Sequence, residues 1–346
     1  MTDPSWVQRR LSGEGAPILI DGGMGTELEK SGVPMDGKVW SARAMLSHPD
    51  KVRDVHERYI RAGAEAIITN TFSSARHMLE PGDLGAEVRN VNLKAVELAR
   101  QARDTAATSS VALVGSICEW SYDEHPAWNS PEVVGQAAAE QAEILAEAGV
   151  EMLAVEMCER AELSDAVVEA VFRIGLPVWL GVSARRHRDQ DRLSSFGYPE
   201  RDFEEVVKVV SRYPAAIVNV MHTPVSDVGA ALEVVRSHWK GPVGVYPESG
   251  EFMMPNWNFV DVIDPATLAE NAVLWANDGV RLIGGCCGLG PDHIEAVSQL
   301  HCVTNRDQSA QQSQRRMTFR FGADNTIFSP RGKWTEETSS FLMNLG

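Results

Sequence analysis

The feature that most constrains the fold of this 346-residue chain is a repeated alternation of short apolar segments with longer segments of helical periodicity. Apolar runs of this length predict strands, and apolar residues at helical spacing predict helices. The predicted strands are Pro17–Asp21, Ala64–Thr69, Val111–Ser116, Glu151–Glu156, Pro177–Ser183, Ala215–Met221, Pro242–Tyr246 and Arg281–Gly285. The predicted helices are Pro49–Gly63, Ala86–Thr105, Pro131–Ala148, Arg160–Ile174, Arg201–Arg212, Ser226–His238, Pro265–Asp278 and Pro291–Leu300.

Several of these strands are apolar at nearly every position, which is typical of a parallel sheet covered by helices on both faces. Eight strand–helix units predict an α/β fold, a (β/α)8 TIM barrel, with a doubly wound open sheet as the alternative. We assign residues 1–302 to the barrel and residues 303–346 to a C-terminal extension. The composition of the extension predicts a polar linker followed by an aromatic arm. We expect the arm to dock on the barrel or on a second subunit of a homo-oligomer.

Composition narrows the class of protein. The formal net charge of −16 argues against nucleic acid and anionic membranes as partners. The chain has no apolar run long enough to span a membrane, and its N-terminus lacks the apolar core of a signal peptide. Five cysteines, two of them adjacent, do not resemble a disulfide framework. These observations predict a cytoplasmic protein in which clustered cysteines serve metal binding or catalysis.

The strongest chemical signal is the motif GGCCG after the last predicted strand. Function in barrels collects at the C-terminal ends of the strands, and Cys286 and Cys287 lie at such an end. Thiolates bind zinc strongly, and a catalytic zinc usually has three protein ligands. His222, at the end of the sixth strand, is the candidate third ligand. The alternatives are two structural cysteines and a histidine that caps the next helix or bonds near Asp227.

Two carboxylates follow other strands. Asp21 ends the first strand and Glu156 ends the fourth, so the pair could bind a substrate ammonium group. Each could instead be a surface or helix-capping residue. The glycines after Asp21, Gly22 and Gly23, expose N–H groups that could bind an anion.

Five motifs, in order and at the expected strand ends, resemble the homocysteine S-methyltransferase family over residues 15–302. They are DGGMGTELEKSG, SHPDKVRDVHERYIRAGAEAIITNTF, VGSI, VEMCE and GGCCG. The family contains enzymes that use betaine or S-methylmethionine as methyl donor, and the homocysteine-binding module of cobalamin-dependent methionine synthase.

The resemblance implies roles for individual residues. Cys286 and Cys287 match the paired zinc thiolates, and Asp21 and Glu156 match the acidic residues that hold the amino group of homocysteine. Gly22, Gly23 and Thr69 match segments around the amino acid, and Trp40 matches an aromatic residue on the donor side. Phe72, and also Trp120 or Trp128, could face a cationic donor, because aromatic faces attract onium groups.

The sequence also departs from the family pattern. The usual Asn–Cys pair after the sixth strand reads Asn219, Val220, Met221, His222, so either His222 completes a Cys2His zinc site or zinc is weakly bound or absent. Met157 stands where the betaine enzyme has a tyrosine, so the aromatic donor cage of that enzyme is incomplete here.

The predicted function is zinc-dependent methyl transfer to homocysteine, giving methionine. The expected donor is S-methylmethionine, another sulfonium compound, or betaine. The alternatives are a binding protein without activity, a module that works with a methyl carrier, and a barrel lyase or hydrolase that uses Asp21 and Glu156 as acid and base.

Overall fold

A computed structural model describes residues 5–120, 125, 127–187, 192–253, 255–299, 328–329 and 332–333. The chain divides into two compact units, Met1–Ser298 and Gln299–Gly346. In the second unit, Phe328–Ser329 pairs with Gly332–Lys333 as a short antiparallel hairpin. The rest of the predicted docking arm lies outside the described residues, so its role stays a prediction.

The first unit is a (β/α)8 barrel, as predicted. Its strands, here β1 to β8, are Ile18–Leu19, Ala66–Ile68, Ala112–Cys118, Met152–Cys158, Val178–Val182, Ile217–Pro224, Val243–Glu248 and Leu282–Ile283. Each strand pairs in parallel with its neighbour in the chain, and β1 also pairs with β8. A parallel bridge between Ile20 and Ala66 joins β1 to β2, so the sheet closes on itself and the open-sheet alternative is wrong.

The described helices around the sheet are Ser5–Leu11, Met24–Lys30, Ala44–Ser47, Pro49–Arg61, Arg76–Leu79, Val88–Ala106, Pro131–Ala148, Ala161–Phe172, Phe203–Val210, Val228–His238, Pro265–Asn277 and a helix over 291–299. Eight of them overlap predicted helices, whereas the short helices Ser5–Leu11, Met24–Lys30, Ala44–Ser47 and Arg76–Leu79 were not predicted. Local sequence fixes several ends. The helix Pro131–Ala148 starts at Ser130, whose hydroxyl accepts from the N–H of Val133, and ends at the left-handed Gly149. No helix in the described part of the chain is long and apolar enough to cross a membrane.

The interior of the barrel is filled by side chains, as is usual for this fold. Trp179 from β5 and Met152 from β4 are buried in the same apolar cluster as Val7 and Leu11 of the first helix. Side chains of the helix Ser5–Leu11 are therefore part of the barrel core, a role that the sequence did not indicate.

Two additions interrupt the alternation. Ala184–Arg186, Leu193–Ser195 and Tyr198–Asp202 form a three-stranded antiparallel sheet after β5. Glu251–Met253 and Asn256–Asn258 form a hairpin after β7. Both lie after the C-terminal ends of barrel strands, where loops build functional sites.

Candidate active site

One large pocket opens at the C-terminal ends of the strands, with about 1110 Å³ of empty space including its open mouth. That is room for two small substrates. All ten predicted site residues line it: Asp21, Gly22, Gly23, Trp40, Thr69, Phe72, Glu156, His222, Cys286 and Cys287. The structure therefore brings together residues that are up to 266 positions apart in the sequence.

His222, Cys286 and Cys287 form one cluster, in which the potential ligand atoms all lie within 4.8 Å of one another. Nδ1 of His222 is 3.4 Å from Sγ of Cys286. Cys287 and His222 are buried, and Cys286 is partly exposed to the pocket. Two thiols and an imidazole at these separations suit a tetrahedral metal site with one position left for a substrate.

Local backbone conformation directs His222 into this cluster. Near the end of β6 its φ is +44°, in the left-handed region that non-glycine residues rarely adopt. Its ring lies 4.4 Å from that of Phe196 and 5.9 Å from that of Trp257. The turn and the two aromatic contacts hold the imidazole beside the thiols, although His222 lies three residues after Asn219.

The thiols sit on a loop that is tied down by backbone hydrogen bonds. Cys286 donates from its N–H to the carbonyl of Pro247 at 2.7 Å, and the carbonyl of Cys287 accepts from Ser249 at 3.0 Å. Gly288 has a φ of +82° and lies very close to the Ser249 carbonyl. Any side chain at this position would clash with that carbonyl. The loop after β8 is thus fixed against the loop after β7.

The side chains of the cluster shift the pKa values of one another. The Cys287 thiol and burial raise the pKa of Cys286 well above its ordinary value, and His222 opposes this shift. Burial disfavours protonation of His222, but Cys286, Glu248 and Glu159 raise its pKa above the ordinary value. A bound cation would stabilise the deprotonated thiols, as metal ions do in such sites.

Asp21 and Glu156 form a buried carboxylate pair. Burial raises the pKa of Asp21 well above its usual range, and the nearby charge of Glu156 raises it further. Burial also raises the pKa of Glu156, against hydroxyls of Ser116 and Tyr246 that favour its ionised form. Asp21 accepts from the N–H of Ile68 at 2.8 Å, and Glu156 accepts from the Ser116 hydroxyl.

Two buried acids with no cation between them are poorly stabilised, because each charge has lost water without gaining an opposite charge. In the described chain, the pocket lining holds no lysine or arginine. The pair is therefore suited to a cationic ligand.

The glycines after Asp21 serve mainly close packing. The N–H of Gly23 donates to the carbonyl of Leu289 at 3.1 Å, so it is not available to an anion as the sequence suggested. A Cβ on Gly23 would lie 2.7 Å from the Cys286 carbonyl oxygen, and one on Gly22 would overlap the Leu289 carbonyl. The lack of side chains lets the loop after β1 approach the cysteine loop.

An aromatic belt surrounds the pocket. Successive rings in it lie between 4.4 and 6.4 Å apart. Its members, in order, are Trp40, Phe72, Trp120, Phe252, Trp257, His222 and Phe196. The predicted gap in the aromatic cage is thus offset by rings from other loops. Trp128, the other tryptophan expected to face the donor, is not among the described residues that line the pocket.

Sequence reasoning missed several lining residues. Phe196 lies in a turn of the antiparallel sheet after β5, and Phe252 and Trp257 belong to the hairpin after β7. Glu159 directly follows β4. Tyr246 lies within a predicted strand end. Only Glu159 carried a usable signal, as a charged residue just past the end of an apolar strand.

Comparisons with known proteins agree with this geometry. The model of the homocysteine S-methyltransferase family matches residues 18–301. A homocysteine S-methyltransferase from Escherichia coli strain K12 is 29% identical over 301 residues, which cover 81% of this chain and 94% of the relative. A homocysteine S-methyltransferase from Zea mays is 26% identical, with 88% of this chain and 95% of the relative covered.

Among solved structures, the metallated form of a homocysteine methyltransferase from Escherichia coli superposes with a TM-score of 0.67 and 26% identity. The match covers 85% of this chain and 99% of that one. The match of the family model to most of the barrel, together with these relatives, shows that the chain belongs to the homocysteine S-methyltransferase family and is an S-methyltransferase.

Proposed function

We propose that this enzyme transfers a methyl group from an onium donor to the thiol of homocysteine, giving methionine, with zinc held by His222, Cys286 and Cys287. The observation that carries the proposal is the arrangement of one pocket. It has two thiols and an imidazole within 4.8 Å of one another, and a buried carboxylate pair in the same lining. The names of the relatives supply homocysteine as the acceptor.

The residues fit a zinc ion. Thiolate sulfur and imidazole nitrogen are the ligands that zinc prefers, and three of them leave one position open. When bound there, zinc lowers the pKa of a coordinated thiol, which makes a thiolate available near neutral pH. Met221 and the aromatic rings beside His222 keep the site largely apolar.

The carboxylates orient the acceptor. Asp21 and Glu156 pair with the ammonium group of homocysteine, and their bonds to Ile68 and Ser116 fix where that group lies. With the ammonium held, the thiol extends toward the cysteine loop. Alignment of the reacting sulfur in this way is itself a large part of catalysis, since it removes the entropy cost of finding the geometry.

The aromatic belt receives the donor. Aromatic faces attract sulfonium and quaternary ammonium groups, and a lining without lysine or arginine among the described residues does not repel them. The thiol proton leaves to solvent, and the sulfur then forms a bond to the methyl carbon as the bond from that carbon to the onium atom breaks. The electron pair of the broken bond stays with the donor, which leaves with one positive charge fewer.

An anaerobic donor screen tests the function. We expect methionine from homocysteine and at least one of S-methylmethionine, S-adenosylmethionine, dimethylsulfoniopropionate or betaine, with sulfonium compounds favoured, as detected by mass spectrometry. Homocysteine binding without turnover on any donor would support the binding-only alternative. Turnover that appears only with an added methyl-carrier protein would support the carrier-dependent alternative.

His222→Ala should weaken zinc binding by about 100-fold or more, since loss of a direct ligand exceeds the usual cost of losing a residue that only supports one. X-ray absorption of the wild-type protein should show two sulfur neighbours at about 2.3 Å and one nitrogen at about 2.0–2.1 Å. His48→Ala, a change at a partly buried histidine that does not line the pocket, is the control. Full zinc and full turnover in His222→Ala would refute the ligand assignment.

A further inference from the structure

Glu159 is an acidic residue in the pocket that the proposed reaction has not used. Its side chain lines the pocket, yet the residue is only 1% exposed. The carboxylate Oε1 accepts from the N–H of Gly197 at 2.9 Å. Oε2 accepts no hydrogen bond from the described residues. A carboxylate with so little exposed surface is costly to ionise unless a cationic group faces it.

The position of Glu159 is fixed on three sides. Its N–H donates to Oε1 of Glu119 at 3.0 Å, and its carbonyl accepts from the Ser195 hydroxyl at 2.7 Å. A Cβ on Gly197 would come within 3.3 Å of Oε2, so a glycine there leaves the carboxylate room. Such preorganisation is typical of a binding residue and is more than a solvated acid needs.

The charges of His222 and Arg160 partly favour the ionised form of Glu159, but the arginines near it bond other groups. Arg160 forms an ion pair with Glu119, donates to the Glu119 carbonyl at 2.9 Å and bonds Asn129. Arg185 lies over the ring of Phe196, 5.0 Å from its centroid, and does not line the pocket. Neither arginine donates a hydrogen bond to the Glu159 carboxylate.

The neighbours of Glu159 belong to the donor side of the pocket. Gly197, which bonds its carboxylate, follows Phe196, and Phe196 packs on His222 at the end of the aromatic belt. Glu159 therefore lies beside the belt and three residues beyond Glu156 along the chain.

We propose that Glu159 is a specificity-determining residue that supplies the counter-charge for the cationic group of the methyl donor. The ligand class is an aliphatic onium compound whose positive charge lies against both an aromatic surface and a carboxylate. Neutral donors of the same shape are rejected, because they leave the buried carboxylate without a partner. This inference rests on the proposed function.

The test is binding of non-reacting probes to the full-length zinc-loaded protein, followed by tryptophan fluorescence or calorimetry. Choline is the cationic probe and 3,3-dimethylbutan-1-ol is its neutral counterpart of similar shape. We expect Glu159→Gln to weaken choline and S-methylmethionine binding by about 10- to 100-fold, which is less than the loss of one partner of a fully buried charge pair, because the aromatic rings still attract the cation. Binding of the neutral alcohol, homocysteine affinity and zinc content should stay within about twofold.

The matched control is Glu162→Gln, which removes a carboxylate of the following helix that pairs with Arg201 outside the pocket. An unchanged affinity for both cations in Glu159→Gln would overturn the inference, and so would an equal loss of homocysteine or zinc. If Glu159→Gln does not fold, the Glu159→Asp variant tests the inference instead. Aspartate keeps the negative charge, but its side chain is shorter by one methylene group. We then expect choline affinity to fall by about three- to tenfold, and unchanged affinity would overturn the inference.

The two proposals fail in different ways. Wild-type protein that transfers no methyl group from any donor would contradict the proposed function. Wild-type protein that transfers a methyl group, with a Glu159→Gln variant of unchanged donor affinity, would contradict only the role of Glu159.

Discussion

Cys286→Ser should abolish both zinc binding and methyl transfer. The substitution removes one of two thiol ligands and leaves a hydroxyl that stays protonated near neutral pH and is a poor zinc ligand. We expect well under one zinc per chain by elemental analysis of protein purified without chelator. The value of kcat/KM should fall about 10³-fold or more, since the metal contributes several kcal/mol to activation of the thiol.

The matched control is Cys158→Ala, a change at a buried cysteine that lies on β4 and does not line the pocket. It should keep about one zinc per chain, with a modest loss of stability from the small cavity. A Cys286→Ser protein with full zinc and full activity would contradict the metal site, whatever the behaviour of His222.

Glu156→Gln should raise the dissociation constant of homocysteine by roughly 150- to 5,000-fold, because loss of one partner of a buried charge pair typically costs about 3–5 kcal/mol. Glutamine keeps the size of the side chain and can still accept from Ser116. Zinc content should be unchanged, because Glu156 is not in the ligand cluster. Isothermal titration with homocysteine measures the effect.

The pH dependence gives a second measurement for the same residue. Burial raises the pKa of both Asp21 and Glu156, and only an ionised carboxylate attracts an ammonium group. Homocysteine affinity of the wild type should therefore fall as the pH is lowered through those raised pKa values. The dependence should be shallower in Glu156→Gln. Glu65→Gln is the control, since Glu65 lies before β2 and pairs with Arg10. Equal affinity and equal pH dependence in Glu156→Gln and the wild type would contradict the assignment.

The strand pattern was predictable because each barrel strand is buried on both faces. The segment Pro177–Ser183, predicted from apolar runs, contains the observed β5 at Val178–Val182, and Arg281–Gly285 contains β8 at Leu282–Ile283. Residues at strand ends could be assigned to one rim, since parallel strands point the same way. That rule is enough to bring Asp21, Glu156 and the cysteines into one pocket.

The parts that could not be predicted depend on loops. The antiparallel strands Leu193–Ser195 and Tyr198–Asp202 are short and largely polar, so no period distinguishes them from a turn. Phe196 and Trp257 reach the pocket only through such segments. Similarly, the left-handed turn at His222 that brings its ring to the thiols has no signature in sequence.

The closure of the barrel has a consequence for synthesis of the protein. Asp21 follows β1 and the cysteines follow β8, and these two strands are neighbours in the closed sheet although more than 260 residues of chain separate them. A ribosome makes the acidic half of the pocket first and the thiols last. Contacts between residues so far apart in sequence form late in folding, because they require the loss of conformational entropy of the whole intervening chain. A nascent chain therefore cannot complete the cluster of His222, Cys286 and Cys287 until nearly the whole barrel has left the ribosome.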